Sequence, residues 1–132
     1  MRDVVRTRSV PQIIVSNADY ERLTDLATAS LERLPEVANE LLSEMDRAKV
    51  VQDGSVPNDV VRMGSTVTFR SDDGNIRTFK LVYPADESLD EHRISVMTPV
   101  GAALIGLAEG QSISWTARDG RRHELTVEKV KN

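Results

Sequence analysis

The 132-residue chain contains no cysteine. That removes a disulfide scaffold, a thiolate zinc site, an iron–sulfur cluster and a cysteine nucleophile, and it fits a reducing compartment. Long apolar runs are missing too. The longest, Val100 to Leu107, is short and carries Gly101 and Gly106, whereas a membrane-crossing helix needs about 20 apolar residues. The N-terminal stretch Met1-Arg2-Asp3-Val4-Val5-Arg6-Thr7-Arg8 lacks the apolar centre of a signal peptide, so a cytoplasmic location is expected. Aromatic residues are few: one Trp, two Tyr and two Phe, a poor platform for stacking bases. No charge of one sign dominates. The net charge is -4, and residues 1–52 carry 7 basic and 9 acidic side chains, so the two halves share the excess equally. A general nucleic-acid binder is basic; contact with DNA or RNA is expected only through a partner complex.

What is present is ordinary globular material, 39% hydrophobic and 29% charged. The length suits one domain, or a small domain with an appended element. Such a chain buries roughly 65–70% of its unfolded surface and needs no metal or disulfide to fold.

The first half reads as helical. Gln12 to Val15 is a short apolar run that suits extended chain. Ser16-Asn17-Ala18-Asp19 then has the spacing of a capping box, and Tyr20, Leu23, Ala27 and Leu31 recur at helical spacing, which predicts a helix over 17–30. Leu34-Pro35-Glu36 restarts the chain, because proline is tolerated in a first turn and disfavours helix in the residue before it. Leu34, Val37, Leu41, Met45 and Ala48 continue the stripe, predicting a second helix over 35–50. With so short a link the two lie antiparallel, as a hairpin, and their stripes bury each other.

Gln52 to Asp59 is a linker by composition. Beyond it the pattern alternates as strands do. Val67 and Phe69 alternate with polar neighbours, Asp72-Asp73-Gly74-Asn75 turns, and Ile76 to Tyr83 returns. Pro84 to Glu91 is an acidic loop, and Arg93 to Met97 a further strand. Thr98-Pro99 opens a short helix over 99–106, with threonine at the cap and proline at the first position. A final hairpin carries Ile113 and Trp115, turns at Asp119-Gly120, and returns through Leu125 and Val127. The expected fold class is α+β: a short helical hairpin over 1–52, then a compact antiparallel sheet with one short helix over 53–132.

No active site emerges. His92 beside Asp86, Glu87, Asp90 and Glu91 offers oxygen ligands of the kind hard cations take, but a solvated acidic loop explains them better. His123 reads as a solvated strand residue. The glycines from Gly101 to Gly110 lack the Lys-Ser or Lys-Thr that a phosphate-cradling loop requires, and no nucleophile elbow is present. The residues alone predict an interaction module that is not an enzyme and needs no cofactor.

A resemblance sharpens this. Met63-Gly64-Ser65-Thr66-Val67-Thr68-Phe69 resembles the opening strand of the C-terminal domain of bacterial Gre transcript-cleavage factors. Ile94 to Leu107, with Thr98-Pro99-Val100-Gly101-Ala102-Ala103-Leu104-Ile105-Gly106, is similar to that family's Ser-Pro-(Leu/Ile/Val)-Gly-x-Ala-Leu-(Ile/Leu)-Gly signature, and Glu109-Gly110-Gln111 stands where the family has a Val-Gly-Asp turn. Asn58 to Met63 and Leu81 to Ala85 resemble the family's short-armed branch, the regulators of nucleoside diphosphate kinase. The resemblance implies an FK506-binding-protein-like C-terminal domain, a short N-terminal coiled coil, and binding to RNA polymerase at the entrance of its secondary channel. Met97, Thr98, Pro99 and Gly101 become candidate docking residues. Gre factors carry acidic residues at the coiled-coil tip to help hold a polymerase magnesium; here Glu32 and Glu36 are nearest the tip, without a clear Gre tip motif. The implied function is a polymerase-binding regulator that does not cleave transcripts. Direct regulation of nucleoside diphosphate kinase and a cleavage-active Gre-like factor are the alternatives. Prolyl isomerisation, which the fold name suggests, needs an aromatic-lined pocket; strand parity sends most of the five aromatics to the core. The hairpin is expected to project from the sheet as a free arm.

Overall fold

A computed structural model describes residues 11–132. The chain runs β1 (Ile14–Ser16), α1 (Asn17–Ala29), α2 (Pro35–Arg47), β2 (Lys49–Val51), β3 (Thr66–Ser71), β4 (Ile76–Val82), β5 (Arg93–Ser95), α3 (Pro99–Leu104), β6 (Ser112–Thr116) and β7 (Arg122–Lys131). It is an α+β fold of two N-terminal helices and a mostly antiparallel five-stranded sheet.

The helix boundaries follow local chemistry. Ser16 is extended, and its hydroxyl accepts the Asp19 N–H at 3.1 Å, satisfying one of the donors a helix start leaves free. Leu23 and Ala27 form the fully buried stripe of α1, flanked by half-buried Tyr20, Leu26 and Leu31. Pro35 opens α2, which buries Val37, Ala38, Leu41 and Met45. Full burial of a residue such as Leu23 or Leu41 contributes roughly 1.5–3 kcal/mol. The second helix ends at Arg47, short of the expected 50. Ala48 turns extended, and the Lys49 amide donates to Ile13 O at 2.9 Å. Residues 49–51 thereby pair with β1 as a parallel two-stranded sheet, Ile14 against Lys49 and Ser16 against Val51.

The main sheet has the order β5-β4-β3-β7-β6. Three neighbouring pairs are antiparallel; β4 and β5 are parallel, Lys80 opposite Arg93. This departs from the all-antiparallel expectation. The loop 83–92 returns the chain through 3-10 turns at Pro84–Asp86 and Leu89–Glu91, so that β5 runs beside Lys80 to Val82 at the end of β4. Parity along the strands holds: Val67 and Phe69 on β3, and Leu125 and Val127 on β7, are buried.

The projecting arm is corrected by the packing. One continuous hydrophobic core takes in Leu23, Val37, Leu41 and Met45 of the helices together with Val67, Leu81, Leu104 and Val127 of the sheet half. α2 lies against α3, so the hairpin rests along the sheet domain. A 13-residue helix spans about 20 Å.

Candidate functional site

α3 is held by two features of the segment before it. The Thr98 hydroxyl donates to Ser95 O at 2.7 Å and accepts the Gly101 N–H at 3.0 Å. Gly101 then lies directly on the preceding strand: a Cβ there would stand 2.1 Å from Ser95 O. Met97 is buried, and its amide donates to Ser95 Oγ at 2.9 Å. Of the four candidate docking residues, Met97 and Gly101 are thus internal, while Thr98 and Pro99 are half-buried.

Pro99 faces a cleft of about 580 Å³. One wall is the hairpin link and the first turns of α2, namely Arg33, Leu34, Pro35, Glu36, Val37 and Glu40; the other is the β6–β7 turn, with Thr116, Ala117, Arg118 and Gly120. The N-cap position of α2 is Leu34, which supplies no side-chain hydrogen bond. The structure therefore brings Glu36 and Pro99, two candidates 63 residues apart in sequence, to one site. Glu32 is exposed at the link and does not line the cleft. Apolar side chains between carboxylates and guanidinium groups suit contact with another protein surface. The β6–β7 wall was not readable in advance, because nothing local ties Ala117 and Arg118 to a helix start eighty residues earlier.

A smaller recess of about 330 Å³ is lined by Phe69, Phe79, Ile94, Val100 and Trp115, with Asp72, Arg77 and His123 also lining it. Phe69 is buried as parity predicts, but Phe79 and Trp115 are only half-buried. Several of the aromatics expected in the core thus share one recess. His123 lies 5.1 Å from the Trp115 ring and 3.4 Å, through Nδ1, from Asp72 Oδ1. His92 is exposed, in a left-handed turn, with the Phe79 ring edge-on at 5.9 Å. Among the described residues no group of three or more His, Asp or Glu is placed to hold a metal ion.

The charged groups that matter at the hairpin base are different ones. Asp19 accepts the Met63 amide, while Arg22 lies 4.2 Å over the Tyr83 ring. Burial raises the Asp19 carboxyl above its ordinary pKa, against the opposing Met63 hydrogen bond and the Arg22 charge. Burial, and then the Asp19 charge, raises the Tyr83 phenol.

Comparison with known proteins agrees with this geometry. A family model described as "Transcription elongation factor, GreA/GreB, C-term" matches residues 56–132, and one described as "Rnk N-terminus" matches residues 11–51. The chain belongs to the GreA/GreB transcription elongation factor family. It is 41% identical over 120 residues to the regulator of nucleoside diphosphate kinase of Escherichia coli strain K12, covering 90% of this chain and 88% of that one. It is 29% identical over 113 residues to the transcription elongation factor GreA of Azorhizobium caulinodans, covering 85% and 69%. A solved GreA/GreB elongation factor from Nitrosomonas europaea superposes with a TM-score of 0.73 at 34% identity, covering 92% of this chain and all of the other. Within the family this chain is therefore Gre-like behind and regulator-like in front. Among the described residues no helix is long and apolar enough to cross a membrane.

Proposed function

We propose that this protein is a transcription regulator that docks on RNA polymerase at the entrance of the secondary channel and does not stimulate transcript cleavage. The observation that carries the reading is the hairpin: its helices have 13 residues each, about 20 Å of rod, packed along α3 rather than extended from it. Glu32 and Glu36 are its tip carboxylates, without a clear Gre tip motif. Such a plug closes a pore mouth without delivering a metal to a distant centre. In this reading residues 1–52 are the hairpin module and 53–132 the domain it rests on. Thr98 and Pro99, backed by Met97 and Gly101, belong to the docking face together with the cleft.

The test is retention of core RNA polymerase by the tagged full chain, with a Gre factor as positive control. Binding at micromolar concentration, reduced by added Gre factor, is expected; no binding while the control binds overturns the proposal. In stalled elongation complexes transcripts should keep their length. Shortening would establish cleavage, and its survival in Glu32→Ala and Glu36→Ala would dismiss the tip assignment.

A second reading is direct regulation of nucleoside diphosphate kinase. It is favoured by the 41% identity to a protein named as that kinase's regulator. Mixing the purified pair and following association and phosphotransfer decides it; no change in either rejects direct action.

A further inference from the structure

We infer that the segment from Thr98 to Gly106 is a seat that fixes the direction of the helical hairpin, with Gly101 and Gly106 as its positioning residues. This goes beyond the proposed function and is tested without a polymerase.

Three contacts carry it. At the sheet end, Gly101 presses α3 onto Ser95 and Val96, where a Cβ would stand 2.1 Å from Ser95 O and 2.8 Å from Val96 Cα. α3 thereby has one position on the sheet, and α2 packs on α3. At the hairpin base, Gly106 has φ +83°, and a Cβ there would stand 2.7 Å from Ile13 Cβ. Ile13 is fully buried. Finally, the backbone on both sides of Gly106 is tied in opposite directions: its amide donates to Val61 O at 3.0 Å, on the sheet side, and its carbonyl accepts from Ile14 N at 3.2 Å, on the hairpin side. Ile13 O in turn accepts from Lys49 N at the end of α2. The hairpin is thus gripped at its base through β1 and along its flank through α3, and both grips belong to one nine-residue stretch. A hinge is made by a few such residues that absorb backbone change between rigid parts; here the same positions are held by the close packing that the absence of a Cβ allows.

The chain has no native cysteine, so spin labels at Glu32→Cys on the link and Lys129→Cys on β7, both exposed, report the angle as one distance. The parent should give a single narrow distribution. Gly106→Ala and Ile13→Ala, which perturb the seat from its two sides, should shift that distribution or at least double its width. Gly74→Ala is the control: its φ of +86° imposes the same backbone strain, but nothing lies within 4 Å of the added methyl. Seat variants that melt earlier yet keep the parent distribution overturn the inference, because loss of stability alone does not redirect the hairpin. Should Gly106→Ala fail to fold, Ile13→Ala decides. Amide exchange in the unaltered chain gives a third reading: after correction for intrinsic exchange, Ile14 and Lys49 should show one shared opening free energy, and two unrelated values count against a common seat.

Discussion

The two ends of the helical hairpin are built on opposite terms. Its base is stitched to the rest of the molecule by parallel pairing of β1 with β2, by the Ile14 amide on Gly106 O, by Asp19 on the Met63 amide, and by Arg22 over the Tyr83 ring. Its tip has Glu32 and Glu36 exposed, Leu34 41% exposed, no side-chain cap on α2, and an open cleft between it and the β6–β7 turn. Backbone hydrogen bonds and buried contacts give a region its resistance to local opening, and their scarcity marks the region that yields first. A well-tied base with an exposed end is what the proposed docking on a partner requires.

The largest effect that breaks this contrast should come from the flank. Leu41 is fully buried between the helices and α3's side of the core. Leu41→Ala should cost about 3–4 kcal/mol by lost transfer energy and the cavity left behind, read as a shift in the urea midpoint with an unchanged slope. A loss below about 1 kcal/mol would mean that the hairpin is not part of the common core. Next comes Gly101→Ala. Its methyl meets backbone, not a side chain that could turn away, so the expected cost is about 3 kcal/mol, against about 1–2 kcal/mol for Gly54→Ala, where the space is open and only the positive φ of +86° is strained. Equal losses at the two glycines would show that close approach to Ser95 is unimportant.

Smaller, and confined to the base, is Ser16→Ala. The hydroxyl makes one hydrogen bond at the start of α1, and its removal should cost about 1 kcal/mol, with amide exchange quickening in the first turn of α1 and not at the tip. Uniform quickening along both helices would remove the distinction between the two ends.

Much of the frame was legible because it is local. Ser16 and Thr98 act as caps, as the capping-box spacing to Asp19 and the proline after Thr98 indicated, and the alternation on β3 and β7 gave the buried face correctly. What sequence could not show is pairing at a distance. Residues 49–51 carry helix-compatible side chains, and only the presence of β1 thirty-five residues earlier turns them into a strand. The parallel β4–β5 pair has the same origin, as does the hairpin lying on α3. The candidate site was half visible. Pro99 and Glu36 were named from the resemblance, but the wall opposite them, Thr116 to Gly120, depends on how the last hairpin folds over. Met97 and Gly101 were named as docking candidates beside them, although the small residues of α3 also suit a helix lying close on a sheet; both are buried.

The most delicate test concerns Asp19, the half-buried carboxyl of the hairpin base. Burial raises its pKa in the folded chain above the ordinary 3.8, and Asp53 adds to that, while the Met63 amide, Arg22 and Arg62 oppose it. The folded state therefore holds this proton more tightly than the unfolded one, and the group favours folding most below the unfolded value. Its contribution falls as pH rises through the folded pKa, the reverse of an ion-paired carboxylate. Asp19→Asn removes the titration while keeping an oxygen that can accept from Met63. The difference in stability between parent and variant, followed by urea unfolding across the acid range, should move in the variant's favour as pH rises from below 3.8 and then level off above the folded pKa. Glu44, also raised by burial, is common to both proteins and cancels. A difference that moves in the parent's favour as pH rises would mean that Arg22 and Arg62 outweigh burial, and that the base is held by an ion pair rather than by a carboxyl taken out of water.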